Sequence, residues 1–164
     1  MFVGQGFDAH RFADASSGRE FRLAGLLWED AGPGLEGDSD GDVAAHALID
    51  ALLGAAGLGD IGSMFGVGAT AHGAGMHGTD MIRETVGALA AAGFAPVSAS
   101  VAVIGNRPKV GPRRAQAVAA LSQAAGCRVS VTATTTDHMG FTGRGEGVAA
   151  IATALVEQAD AAAD

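Results

Sequence analysis

The sequence predicts a single α/β (α+β) domain spanning residues 1–164: a four-stranded mixed sheet with helices packed on one face. Three observations carry this expectation. The chain has 164 residues and is 48% hydrophobic, enough for one packed core and outside the range of disordered chains. Segments with strand and helix periodicity are interleaved from end to end. No internal repeat and no domain boundary interrupts them.

The elements follow in order. Phe2–His10 reads as a strand ending in polar residues, and Asp14–Arg19 as a turn. Glu20–Leu27 carries Phe21, Leu23 and Leu27 and reads as a short strand or hairpin, followed by a Gly/Pro loop over Ala31–Gly37. Asp40 or Ser39 can cap a helix running to about Gly57, because Val43, Ala47, Leu48, Ala51, Leu52 and Ala55 keep the helical period. Gly57–Gly62 ends it in a tight turn. Gly66–Gly78, rich in Gly, Ala and His, is a loop that is either mobile or held by a ligand. A second helix starts at Thr79 or Asp80 and runs to about Ala92, with Met81, Ile82, Val86 and Leu89 inward. Val97–Ile104 is a strand. Pro108 and Pro112 bracket a turn, and a third helix covers about Arg113–Ala125. Arg128–Thr135 is a strand. Val148–Val156 alternates and reads as the last strand, with helix as the alternative because Ala is a strong helix former. The Ala/Asp tail after Glu157 reads as frayed.

The formal net charge of -8 argues against nucleic acid and anionic membranes as partners, since both need clustered Lys and Arg. A phosphorylated substrate remains compatible if its cations are local or metallic. The single cysteine, Cys127, excludes an internal disulfide and fits a reducing, cytoplasmic setting; it is expected to be a small core residue. The N-terminus lacks the pattern of a signal peptide, and no apolar stretch reaches the roughly 18 residues of a membrane span.

Asp8 and His10 lie at i and i+2, on the same side of a strand. His46 follows on a helix. Three protein ligands with an open fourth position describe a catalytic zinc site; the alternative is a polar strand end plus a helix with one satisfied His. Asp42, His46 and Asp50 share one helix face, so Asp50 either accepts the spare ring N–H of His46 or is an ordinary surface carboxylate. Thr134, Thr135, Thr136 and Asp137 offer hydroxyls for phosphate oxygens and a carboxylate for Mg²⁺, or simply a Thr-rich strand and an Asp turn. Gly143-Arg144-Gly145-Glu146 is an anion nest with an Arg donor, or a tight turn with an ion pair. Pro108-Lys109 is a rigid turn with one cation. His72, His77 and His138 are expected to be exposed in loops. The Gly57–Gly62 turn follows a helix instead of preceding one, which argues against a dinucleotide fold.

Together these segments resemble the 2-C-methyl-D-erythritol 2,4-cyclodiphosphate synthase family of non-mevalonate isoprenoid biosynthesis. The matching pieces are Gly4–His10, Ser39–Val43, His46–Leu48, Asp50–Gly54, Gly59–Gly62, Pro108-Lys109, Ala133–Asp137 and Gly140–Gly147, in family order and over nearly the full length. The resemblance implies a homotrimer with active sites between subunits, and Zn²⁺ on Asp8, His10 and His46. It implies 4-diphosphocytidyl-2-C-methyl-D-erythritol 2-phosphate as substrate. Its 2-phosphate attacks the β-phosphorus, closes a cyclic diphosphate and expels CMP, so catalysis is mostly positioning of two anions. By matching position, Asp137 would hold a Mg²⁺ or Mn²⁺ bridging the substrate phosphates, and Thr135 would act on the transition state. Gly105, Pro108, Lys109, Val110 and Gly111, with Ala133, Thr134 and Thr135, would form the cytidine pocket. Asp60, Ile61 and Gly62 would face the methylerythritol part. Asp8, His10, Asp38, Ser39, Thr136 and Asp137 would also meet the substrate. Phe141, Arg144 and Glu146 would line the trimer axis, where related proteins can hold an isoprenoid diphosphate.

Four features depart from the family pattern. Asp38 stands where the family usually has a His that contacts substrate near the reacting phosphates; a carboxylate there repels phosphate. This motivates an alternative, a low-turnover trimeric homologue that binds zinc and cytidine nucleotides. Asp137 replaces a more common Glu, Thr132 replaces a frequent Lys, and Gly66–Gly78 lacks the usual acidic-and-proline pattern. A zinc-dependent phosphohydrolase is the remaining chemical alternative.

Overall fold

Period-two alternation at both ends of the chain builds the sheet, and glycines let a helix lie almost on top of it. The structure is a computed structural model that describes residues 1–159. Its strands are β1 (Phe2–Arg11), β2 (Arg22–Leu23), β3 (Leu26–Leu27), β4 (Phe94–Ile104), β5 (Arg128–Thr134) and β6 (Gly147–Gln158). Its helices are α1 (Val43–Ala56), α2 (Ile61–Phe65), α3 (Gly78–Ala91), α4 (Arg114–Ala125) and α5 (Gly140–Gly143). The four long strands form one mixed sheet in the order β1-β6-β4-β5. β6 runs antiparallel to both neighbours, and β4 and β5 are parallel, joined by the α4 crossover. β2 and β3 form a separate hairpin.

One face of the sheet is buried. Val148, Ala150, Ala152, Ala154 and Val156 of β6, Val101 and Val103 of β4, and Val129 and Val131 of β5 are all buried under the helices. On the other face, Val3, Phe7 and Ile151 stay exposed. This pattern settles β6 as a strand: its alanines pair with β1 on one side and β4 on the other while keeping one face inward. α1 crosses β1 at Gly4 and Gly6, where an added Cβ would stand 2.1 and 2.0 Å from the carbonyl oxygens of Ala51 and Ala47.

Several details differ from the sequence expectation. Asp42, not Asp40 or Ser39, caps α1: its Oδ1 accepts the Ala44 and Ala45 N–H groups, each at 3.1 Å. Gly41 sits at φ +76° and separates Asp40 from the helix. Asp42 also accepts from the Ala24 and Gly25 N–H groups, at 2.8 and 2.7 Å, and so ties the β2–β3 turn to α1. Asp40 accepts the Gly78 N–H at the start of α3 instead. α2 replaces the expected turn end, nucleated by a capping box in which Asp60 accepts the Ser63 N–H and Ser63 Oγ reaches back to the Asp60 N–H. Gly140–Gly143, to which the sequence reading gave no element, forms the four-residue helix α5. In α3, Val86 is only half-buried, and the fully buried position is Thr85, whose hydroxyl donates to the Met81 carbonyl. β4 starts three residues earlier than expected, because a bulge between Pro96 and Ser98 absorbs the proline. Cys127 is half-buried at the edge of the core, not within it. β6 continues through Gln158, and the Ala159 N–H donates to the Gly93 carbonyl; the rest of the expected frayed tail lies outside the described residues. No helix among the described residues is long and apolar enough to cross a membrane.

Candidate metal centre and substrate pockets

β1 places Asp8 and His10 on the side that carries Gly4 and Gly6, toward α1. α1 presents His46 from its first turn, buried. The close glycine packing therefore sets the distance between the two halves of the site. Asp8 Oδ2 lies 3.0 Å from His10 Nε2 and 2.9 Å from His46 Nδ1. The two rings meet edge to face at 5.5 Å. One ligand atom from each residue falls within a 4.8 Å group.

Ser39 Oγ lies 2.9 Å from His46 Nε2. With Nε2–H donating to Ser39, the Nδ1 lone pair faces Asp8 and His10, the tautomer a metal ligand needs. The expected partner of His46, Asp50, does something else: its Oδ1 accepts the Ile61 N–H at 2.7 Å and holds the start of α2. Asp50 lies one helical turn beyond His46 but leans toward α2. Burial raises the Asp50 carboxyl above its ordinary value.

The triad is electrostatically coupled. Burial alone would push the Asp8 carboxyl up, but hydrogen bonds from His10 and His46 and their charges outweigh it and hold Asp8 well below the usual carboxylate range. Burial pushes His46 down, while the hydrogen bond and charge of Asp8 win and raise it above 6.5. A proton thus sits where a cation would be favoured. One carboxylate oxygen and two imidazole nitrogens, one imidazole fixed from behind by Ser39, fit a borderline-soft divalent metal.

The triad opens into a cavity of ≈ 210 Å³ lined also by Asp38, Ser39, Ile61, Gly62, Met81 and the stretch between Phe65 and Ala74. Asp60 caps α2 beside it and is exposed. The Gly66–Gly78 loop is held by the protein itself. The Gly68 N–H donates to Asp38 Oδ2 at 2.7 Å, the Gly75 N–H to the Asp38 carbonyl at 2.9 Å, and His72 pairs with Glu84. His72 also stacks on Phe65. The sequence reading singled out the Gly66–Gly78 loop but not the part that Phe65 and Met81 take in the cavity wall; Phe65, a bulky apolar residue ending α2, was the available signal.

A second cavity, ≈ 280 Å³, gathers Gly105, Pro108, Lys109, Val110, Gly111, Ala133, Thr134 and Thr135 from the ends of β4 and β5. Thr135 Oγ1 donates to Asp137 Oδ1 at 3.2 Å, and both are exposed. Thr136 Oγ1 is occupied internally by the Met139 carbonyl and the Thr142 hydroxyl. The two cavities share no lining residue. Phe141 and Glu146 line a third, ≈ 550 Å³, with Ala9, His10, Arg11 and Phe12. Arg144 pairs with Glu146 at 2.6 Å, so the turn here carries the ion pair. His72, His77 and His138 are exposed.

A model of the YgbB family matches residues 1–157. The chain is 70% identical over 168 residues to the 2-C-methyl-D-erythritol 2,4-cyclodiphosphate synthase of Bifidobacterium longum (strain NCC 2705), covering 96% of this chain and 97% of the relative. The synthase of Cutibacterium acnes is 52% identical over 94% of this chain and 89% of its own length. Among solved structures, a 2C-methyl-D-erythritol-2,4-cyclodiphosphate synthase in a CDP-bound form superposes with a TM-score of 0.80 at 34% identity, covering 94% of this chain and 99% of that one.

Proposed function

The chain belongs to the YgbB family, and from that premise we infer that it is an enzyme of the 2-C-methyl-D-erythritol 2,4-cyclodiphosphate synthase type. It converts 4-diphosphocytidyl-2-C-methyl-D-erythritol 2-phosphate to the 2,4-cyclodiphosphate and CMP in isoprenoid biosynthesis. An oxygen of the 2-phosphate bonds to the β-phosphorus, and the bond from that phosphorus to the CMP oxygen breaks. The observation that carries the reading is the convergence of Asp8, His10 and His46 on one cavity, in a chain that the family model covers almost completely.

Asp8, His10 and His46 would hold Zn²⁺, and Asp137 a Mg²⁺ or Mn²⁺. These metals would supply neutralisation of phosphate charge. The protein's own residues bind and orient. Lys109 and Arg114 bring two cations to the second cavity, and the Thr134 and Thr135 hydroxyls can donate to phosphate oxygens there. The rigid turn around Pro108 and the β5 end at Ala133 shape that cavity for a pyrimidine nucleoside. Asp60, Ile61 and Gly62 flank the metal cavity, where the methylerythritol part would sit. The whole chain acts as one synthase domain in the cytoplasm.

Two features support a homotrimer with shared sites. The open sheet face exposes Val3, Phe7 and Ile151, with Phe7 directly opposite Ile151 in register, an apolar surface suited to another subunit. The metal cavity and the Thr135 cavity are separate within one chain, and a substrate carrying cytidine at one end and the 2-phosphate at the other needs both. The cavity at Phe141 and Glu146 would then lie on the trimer axis and admit an isoprenoid diphosphate. Incubating the metal-loaded protein with the cytidine substrate tests the function: mass spectrometry should find CMP together with the cyclic product. A metal-loaded trimer that forms no CMP refutes it, and inorganic phosphate or a linear product would favour a phosphohydrolase.

A further inference from the structure

Three consecutive residues reach three different parts of the metal cavity. Gly37 packs against His10, so closely that an added Cβ would stand 3.1 Å from the ring's Cε1. Ser39 holds His46. Asp38, between them, turns the other way. Its Oδ2 accepts the Gly68 N–H at 2.7 Å, thirty residues along the chain, and its carbonyl accepts the Gly75 N–H at 2.9 Å. One residue thus grips the cavity's loop wall at both ends. Between the two grips, Ala71, Gly73 and Ala74 line the cavity that Asp8, His10 and His46 also line. Gly68 sits at φ +100°, a conformation that L side chains rarely adopt, so the loop reaches Asp38 through a backbone suited to glycine.

We propose that Asp38 is a positioning residue: its carboxylate clamps Gly68 and thereby sets the loop wall against which the substrate binds. His72 and Met76 pin the later part of the loop by packing, but Val67 beside Gly68 is 83% exposed, so the position of this first part depends on backbone hydrogen bonds. Asp38 supplies one from its side chain and one from its main chain. The side-chain bond is charge-assisted, the stronger kind. This role also weakens the electrostatic objection to a carboxylate at this position. One oxygen of the Asp38 carboxylate is directed at a backbone donor, which lowers its repulsion of phosphate without cancelling its charge. The catalytic consequence rests on the synthase reading; the clamp itself does not.

The test compares wild type with Asp38→Ala and Asp38→Asn. Ala removes the acceptor. Asn removes the charge and keeps an amide oxygen for the Gly68 N–H. The main-chain bond to Gly75 is available in all three. Hydrogen–deuterium exchange of the 66–71 peptide and steady-state kinetics with the cytidine substrate are the readouts, with zinc content measured alongside. Asp38→Ala should speed exchange at Gly68 about tenfold or more, the scale of a lost charge-assisted bond, and raise KM by a similar factor. Its kcat and zinc stoichiometry should stay close to wild type. Asp38→Asn should recover most of both changes. Unchanged exchange in Asp38→Ala overturns the clamp. Faster exchange with unchanged KM, a loss confined to kcat, or an Asn variant no better than Ala overturns the positioning role. If wild type releases no CMP, the synthase reading falls and the exchange result alone decides the clamp.

Discussion

Replacing Gly6 by alanine should damage the fold and the metal site together. The new Cβ would stand 2.0 Å from the Ala47 carbonyl oxygen and 2.8 Å from the Ala51 nitrogen, both in the backbone of α1. Such contacts are essentially never closer than 3.0 Å, and backbone cannot rotate away as a side-chain end would. α1 must therefore retreat from β1 by about 1 Å, the difference between those two distances, against packing that resists displacement. Overpacking of this kind costs about 1–3 kcal/mol. For a chain of this length each kcal/mol moves the melting temperature by about 2–4 °C, so a fall of about 2–12 °C is expected. The displaced carbonyl belongs to the residue after His46, while Asp8 lies two residues beyond the substitution. Metal sites tolerate deviations of only about 0.2 Å, so zinc affinity should fall at least about tenfold. Gly54→Ala is the control: it lies on the same helix with open space around it, and should stabilise by about 0.5–1 kcal/mol. Thermal melts of metal-free and zinc-loaded protein and a chelator competition titration measure both effects. A Gly6→Ala protein that melts with wild type and binds zinc as tightly would refute the argument that the glycine contact sets the site.

Ser39→Ala should weaken zinc binding by about 10–100-fold with little change in fold, because it frees the His46 ring from the tautomer a ligand needs; an unchanged titration would remove Ser39 from the metal site. His46 binds its proton more tightly in the metal-free fold than its ordinary value of 6.5 implies. The stability from that proton is complete below about pH 6.5 and lost as pH rises through the higher folded value. Zinc must displace the proton, so affinity should rise with pH across this window with proton release. Calorimetry in buffers of different ionisation enthalpy measures it, and zero release near neutral pH contradicts the coupling. Asp38→His should lower kcat/KM, because it gives up the carboxylate that holds Gly68; a large gain would revive the low-turnover alternative. Phe7→Asp, on the open sheet face at an exposed position, should shift a trimer toward monomer in analytical ultracentrifugation without unfolding the subunit, whereas an intact trimer would move the interface elsewhere.

Much of the fold was legible because its signals are local. Alternation over Val148–Val156 and the helical period over Val43–Ala55 survive without knowledge of neighbours. Glycine obscured some of the short-range chemistry, whereas the early start of β4 came from a bulge at Pro96. α5 hides in Gly-Phe-Thr-Gly, and the capping box of Asp60 and Ser63 hides behind Gly59 and Gly62. Asp40 reads as a cap of α1 and Asp42 as a helix-face residue, until Gly41 takes its positive φ and gives Asp42 to α1 and Asp40 to α3. For the site, the i, i+2 spacing of Asp8 and His10, His46 on the following helix and the hydroxyl-rich Thr134–Asp137 stretch were visible as candidates, and the family resemblance joined them into one reading.

The amino-acid sequence by itself determined which residues can do chemistry, because ligand type and strand or helix period are properties of a few adjacent positions. Only the tertiary structure decided what each does with its partners. Asp50 and Ser39 are both reasonable partners for His46 by spacing, yet the chain path gives Ser39 to the ring and Asp50 to the Ile61 N–H. Asp38 reads as a charge near phosphate until the loop returns thirty residues later and places Gly68 on it. Such hydrogen bonds depend on where distant backbone ends up, and that is fixed by the helix lying on Gly4 and Gly6 and by the packing of the whole sheet.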